Sequence, residues 1–205
     1  MIEINQLTLA YFRRHFSSSW GRKYLADRFT RRLDQPDRAS TGPRGQRRRN
    51  DHHRRRRPRE HGRLIDCFRD RVVFPIINNG EVLGFVGRRH PDLSDLDRAA
   101  PKYLNTGETP LFHKRAQLYG VLQDQLSIGA IPVLVDGPMD ATAVTLASRG
   151  RYIGMSLLGT SLTEEQASQL AHLGVHPIVA TDADPAGRSA AERDYSMLSC
   201  YRVDP

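Results

Sequence analysis

The sequence predicts an α/β protein: a parallel sheet flanked by helices over 128–205, preceded by a small mixed α+β subdomain over 64–127. Three observations carry this. Short apolar segments (IPVLV, RYIGMS, HPIVAT) alternate with helical stretches, the pattern of parallel strands covered on both faces. Upstream, RVVFPII and VLGFVG flank the turn NNG, a hairpin signal in which Asn79-Gly80 supplies positive φ. A segment of different composition, 36–63, separates these from a helical N-terminal piece, 1–35.

In that N-terminal piece, Leu7, Tyr11, Phe16, Trp20, Tyr24, Leu25 and Phe29 supply apolar positions for one or two amphipathic helices over 5–33, with Ser17–Ser19 as break and cap. From Pro36 to Arg63 the sole residue drawn from Ala, Val, Ile, Leu, Met, Phe, Trp, Tyr and Cys is Ala39, and eleven arginines face Asp37, Asp51 and Glu60. The segment's net +8 equals the formal charge of the whole chain, so the pI near 10.0 belongs to this segment and the remainder is neutral. It cannot bury enough surface to offset its ordering entropy, and a disordered linker is expected there.

The hairpin follows over 71–87, then a polar loop, HPDLSDLDRAAPKYLNTGETP, and a helix from about Leu111 to Leu126. Strands are expected at 131–135, 151–156 and 176–181. Helices are expected at Met139–Arg149, Thr163–Leu173 (opened by Ser161 or Thr163 and closed by Gly174) and Pro185–Leu198. Cys67 and Cys200 form no CxxC pair, so neither a disulfide framework nor a zinc ribbon is supported. No apolar run approaches a membrane span, so a reducing, cytoplasmic setting without membrane contact is expected.

Parallel sheets bind ligands at the carboxyl ends of their strands. Asp136 directly follows the first strand of the series, and Asp182 and Asp184 follow the third. Each acid also has an ordinary use. Gly137-Pro138 can start a helix, Asp140 suits a first helical turn, Asp184 before Pro185 suits an N-cap, and Asp182 suits a turn. The chemical reading is a divalent cation site. Mg²⁺ takes hard oxygen ligands at about 2.0–2.1 Å, commonly one or two carboxylates completed by water and phosphate.

The stretches VDGPMDA, LLGTSLT and TDADPAGRSAAE, with RVVFPII, GFVGRR and PKYLNTGETPLFHKRAQLYG ahead of them in order, resemble the TOPRIM-containing catalytic core of the bacterial DNA primase family (DnaG type), over roughly 64–198. The resemblance implies a TOPRIM-type sheet over 128–205 and RNA primer synthesis from ribonucleotides on a single-stranded DNA template. It further implies Mg²⁺ or Mn²⁺ as cofactor and a replicative helicase as partner, while the two unpaired cysteines give the expectation of no zinc. By the same resemblance the catalytic residues are Asp136, Asp140, Asp182, Asp184 and Lys114. Asp136, Asp182 and Asp184 would hold the metal, and Arg88, Lys102, Asn105 and Lys114 would bind nucleic acid or nucleotide. Arginine suits such contacts as a forked donor and lysine as a point charge.

Two departures stand out. The family has glutamate where this chain has Asp136. The shorter side chain loses roughly 1.5 Å of reach, whereas metal–ligand distances tolerate only about 0.2 Å; weakened, not abolished, metal binding is the expectation. The chain also ends at Pro205, soon after the DADPAG helix, which implies a truncated core without the family's zinc module or helicase-contacting part. The alternative function is therefore a catalytically inactive TOPRIM remnant that binds nucleic acid; a TOPRIM nuclease or topoisomerase-like enzyme is a third. The arginine-rich segment has two readings, a phosphate-binding arm or codons read out of frame, with the frameshift preferred.

Overall fold

The computed structural model describes residues 1–33, 67–91 and 101–201. The linker expected at 36–63 lies outside the described residues. Helix α1 (Ile2–Phe16) and helix α2 (Trp20–Leu33) break at the three serines as expected. Ser18 and Ser19 turn their hydroxyls back onto the carbonyls of His15 and Phe16, at 3.1 and 2.8 Å, and so compete with continuation of the helix.

Strands β1 (Arg71–Asn78) and β2 (Glu81–Arg89) form the hairpin, with Asn79 at φ 49° and Gly80 at φ 78°. Two successive positive φ values match the right-handed twist of the flanking strands. Strand β3 (Tyr103–Asn105) adds to β2, so β1 lies on the edge of a three-stranded antiparallel sheet. Pro75 in β1 is tolerated there, because an edge strand has one side free of ladder bonds. The sheet is covered on both faces. Leu9 and Phe12 of α1 pack with Phe68 and Phe85, and Asn5 donates to the Val82 and Leu83 carbonyls. On the other face Trp20, Tyr24, Leu25 and Phe29 of α2 pack around Val72, Phe74 and Ile76.

The helix expected over 111–126 is absent. In its place stand a 3-10 turn (Lys114–Ala116), strand β4 (Leu118–Tyr119) and a short helix α3 (Gln123–Ser127). The backbone here bonds outward instead of to itself. The Lys114 N–H donates to Glu108, the Arg115 carbonyl accepts from Thr163, and the Gln117 carbonyl accepts from Gln166. Gly120 at φ 86° then turns the chain, a conformation incompatible with helix.

The second sheet has the order β4-β6-β5-β7, with strands β5 (Ile131–Val135), β6 (Tyr152–Leu157) and β7 (Ile178–Val179) mutually parallel. β4 pairs antiparallel at its edge, an addition to the expected sheet. β7 is shorter than the predicted 176–181. It is an edge strand, and the Asp182 N–H is drawn out of the ladder to the Asp136 side chain. Helix α4 (Pro138–Ala147) covers one face through Ala141 and Val144 on Val133 and Val135. Helices α5 (Glu164–Leu173) and α6 (Pro185–Cys200) cover the other, with Leu170 and Leu198 on Leu134, Ile153 and Met155. Met139, Phe112 and Leu158 join this unit to the hairpin core.

Thr163 caps α5 in a capping box with Gln166, and Gly174 closes the helix at φ 63°. The Thr163 hydroxyl also donates to Arg115, so one side chain both starts α5 and ties down the Lys114 turn. Thr163→Ala is expected to lower stability by about 1–2 kcal/mol, read as a shift of the urea midpoint at unchanged slope. Among the described residues no helix is long and apolar enough to cross a membrane.

Candidate active site

The carboxyl ends of β5 and β7 are neighbours because the strands run parallel side by side. Asp136 leaves the end of β5, and its Oδ2 accepts the backbone N–H of Asp182 at 2.9 Å. One hydrogen bond thus joins two loops 46 residues apart in the chain. The loop after β7 is braced further. Thr181 Oγ1 donates to the Gly187 carbonyl at 2.9 Å, and the Arg188 guanidinium donates to the Ala183 carbonyl at 2.8 Å. A methyl at Gly187 would fall 2.0 Å from the Asp182 carbonyl, so glycine is what lets the first turn of α6 back onto this loop.

Asp136, Asp182 and Asp184 line one cleft of about 420 Å³, with Gly159 and Thr160 of the β6–α5 loop on the opposite wall. The ordinary uses of these acids are partly realised. Asp184 Oδ1 caps α6 by accepting the Gly187 N–H at 2.7 Å. Asp140 sits in the first turn of α4, after Gly137 at the cap and Pro138 at the first helical position. Asp182 keeps both carboxylate oxygens free of hydrogen bonds among the described residues. In the same residues no three acid, histidine or cysteine groups gather closely enough to enclose an ion. The donor chemistry nevertheless fits a hard divalent cation, provided one or two carboxylates touch it and water or phosphate fills its remaining positions. Asp136 and Asp184 each turn one oxygen to a backbone amide and keep the other for an ion or its bound water.

The basic residues divide between two places. The Arg88 guanidinium donates to Tyr24 Oη at 3.1 Å and lies 5.1 Å from the centre of the Tyr103 ring; Lys102 Nζ lies 5.8 Å from the same ring. Tyr103 is the joint between this group and the acids, since a Cβ built on Gly137, next to Asp136, would meet Tyr103 Oη at 3.3 Å. Burial pushes the Tyr103 hydroxyl pKa up, against the downward pull of Arg88. Asn105 and Lys114 go elsewhere, to the loop after β6. Asn105 Nδ2 donates to the Leu158 carbonyl at 3.0 Å, while its Oδ1 is buried without a partner. Lys114 Cε comes within 3.9 Å of a Cβ built on Gly159, on the cleft wall.

Two residues of this region were not singled out from sequence. Tyr103 stands between Lys102 and Asn105, and its position inside PKYLN was the available signal. Asp194 is 4% exposed and lines the same cleft. Its Oδ1 accepts the Leu162 N–H at 3.2 Å. Burial raises its carboxyl pKa; the Leu162 N–H and Arg193 pull it down, and Asp136 pushes it up. With Gly187, Ala190 and Leu198 it marks one face of α6 at helical spacing, and an acid on that otherwise small and apolar face was the signal.

Known proteins share this sequence pattern and fold. Residues 49–125 match the family described as DNA primase catalytic core, N-terminal domain, and residues 133–204 match the Toprim-like family. The chain belongs to the DNA primase family. The first family match begins inside the arginine-rich segment and the second extends past α6, so the two together contain the stretches that carried the resemblance. The DNA primase of Escherichia coli (strain K12) is 40% identical over 149 residues, which are 71% of this chain and 24% of that protein. The chain therefore spans about a quarter of this primase's length. The Aquifex aeolicus primase, solved as zinc-binding and RNA polymerase domains, superposes with a TM-score of 0.60 at 32% identity, over 69% of this chain and 34% of that one. The RNA polymerase domain of Mycobacterium tuberculosis primase, solved with a double-stranded DNA oligomer bearing a 6-nucleotide overhang, gives a TM-score of 0.50 at 31% identity over 61% of this chain and 40% of that one.

Proposed function

We propose that the chain is the core of a primer-synthesising enzyme: a Mg²⁺- or Mn²⁺-dependent nucleotidyltransferase that makes RNA primers on single-stranded DNA. The observation that carries this reading is the junction of Asp136 with the Asp182 loop at the mouth of a cleft, in a chain of the primase family. In this reading Asp182 and Asp136 would present oxygens to the ion, and Asp184, with one oxygen capping α6, would add charge beside it and accept from its bound water. Asp140 adds negative charge at the start of α4. A bound divalent ion would neutralise phosphate charge as the primer 3′-oxygen bonds to the nucleotide α-phosphorus and pyrophosphate leaves.

Lys114, beside Gly159 on the far wall, is suited to the triphosphate. Arg88 and Lys102 are suited to template or primer backbone. Their shared platform, Tyr103, offers a π face that orients both cations. Asn105 contributes chiefly by holding the Leu158 carbonyl, and so the loop that forms the wall. The DNA-bound mycobacterial relative supports a nucleic-acid substrate. A replicative helicase partner, the absence of zinc and a cytoplasmic setting without membrane contact rest on family resemblance and sequence alone.

A second reading, an inactive core that still binds nucleic acid, is favoured by one observation: Asp136 and Asp184 each commit an oxygen to the backbone, and no three acids converge among the described residues. Incubation with labelled ribonucleotides, single-stranded template and Mg²⁺ or Mn²⁺ separates the two. Labelled oligonucleotide is the expected product of the first reading. Template binding with no product at any metal concentration selects the second.

A further inference from the structure

The cleft contains a charge that its own hydrogen bonding does not require. Asp194, almost fully buried on α6, holds the Leu162 N–H with Oδ1, while Oδ2 has no hydrogen-bond partner among the described residues. A serine or asparagine at this position would accept the same N–H without bringing a negative charge into a buried place. Asp194 and Asp136 line the same cleft. Among the described residues no lysine, arginine or histidine forms an ion pair with it; Arg193, its neighbour on α6, acts only at longer range. Oδ2 is not among the buried atoms left unsatisfied, so it opens onto the cleft, where water or a cation can serve it.

We propose that Asp194 is a fourth carboxylate of the cation cleft, a positioning residue that holds water bound to a divalent ion on Asp136 and Asp182. Water mediation follows from the geometry. No three acids among the described residues surround one point, so a single ion touches at most two of them directly. Asp194 approaches from α6, behind the strand ends, where its unpartnered oxygen can accept from a coordinated water. The same residue fixes the other wall through Leu162, so the ion and the loop that follows Gly159 are referenced to one side chain.

This inference rests on the cation-cleft reading above, and the test separates the two. Mn²⁺ alone is titrated into the full 205-residue chain, with bound and free ion distinguished by electron paramagnetic resonance, for the parent protein and for Asp194→Asn. Asparagine keeps the acceptor for Leu162 and removes the charge. The expected result is Mn²⁺ affinity weakened about 10-fold, with a melting temperature in metal-free buffer equal to or above the parent's and a smaller rise on adding Mn²⁺. A merely structural Asp194 predicts the opposite pattern, a lower metal-free melting temperature with unchanged Mn²⁺ affinity, and that result overturns the assignment. Parent protein that binds no Mn²⁺ overturns the cation cleft itself, and this inference with it. If Asp194→Asn gives no cooperative melt, Asp194→Ser, smaller and still an acceptor, is read by the same criteria.

Discussion

Asp182→Asn is expected to lower primer synthesis by at least about 100-fold, because even partners one shell removed from a bound ion cost 10–100-fold when deleted. The substitution is close to isosteric and leaves the local structure in place. The bond that joins the two loops uses the Asp182 backbone N–H and the Asp136 carboxylate, neither of which changes. The Asp182 carboxylate itself accepts nothing among the described residues, so its loss leaves no buried donor stranded. Stability should therefore change by no more than about 0.5 kcal/mol. The check pairs the labelled-ribonucleotide assay with a thermal melt. Product formed at the parental rate removes Asp182 from the chemistry, whereas lost product with a collapsed melt would mean the variant had failed to fold.

Gly154→Ala is expected to have the largest effect on the fold, about 3 kcal/mol of lost stability. Gly154 lies in the middle of β6, where α4 crosses. An added Cβ would fall 2.0 Å from the Ala141 carbonyl oxygen and 2.5 Å from its Cα. Those are backbone atoms on a helix and cannot swing aside as a side-chain tip can. The strand's other side is equally close, since a Cβ on Gly120 would meet the Gly154 carbonyl at 2.4 Å. Glycine in a strand interior often marks such an approach of one backbone to another. Because β6 leads directly into Leu158 and Gly159, forcing it off α4 would also displace the cleft wall. Chemical denaturation reads the result: a clear fall in the midpoint is expected, and an unchanged midpoint would show that α4 gives way at little cost.

The sequence made the alternating half of the molecule legible because its signals were local. Gly137-Pro138, Gly174 and Asp184-Pro185 each act within a turn of the residue they affect and stand where expected, and of the two openings expected for α5, Ser161 and Thr163, it is Thr163 that caps. The hairpin was legible for the same reason, through Asn79-Gly80. The segment after Pro110 was misread because what shapes it is remote. Phe112 is wholly buried, and its neighbours bond to Glu108, Thr163 and Gln166, so contacts from other elements outweigh any local tendency to helix there. The candidate site follows the same division. Strand-end acids could be placed from the sequence, because a strand end is a local feature. That Asp136 would bond to the Asp182 amide, that Tyr103 would stand against Gly137, and that Asp194 would enter the cleft from α6 depend on how elements pack. Spacing along the chain does not encode those meetings.

The central claim is that the loops after β5 and β7 share a divalent cation. Diffraction from crystals of the chain soaked in Mn²⁺, with data collected at the manganese absorption edge, tests it most directly. One anomalous peak is expected in the cleft, in bonding contact with a carboxylate oxygen of Asp182 and within reach of Asp136. A protein that binds Mn²⁺ elsewhere, or shows no peak with Asp136 still bonded to the Asp182 amide, would contradict it.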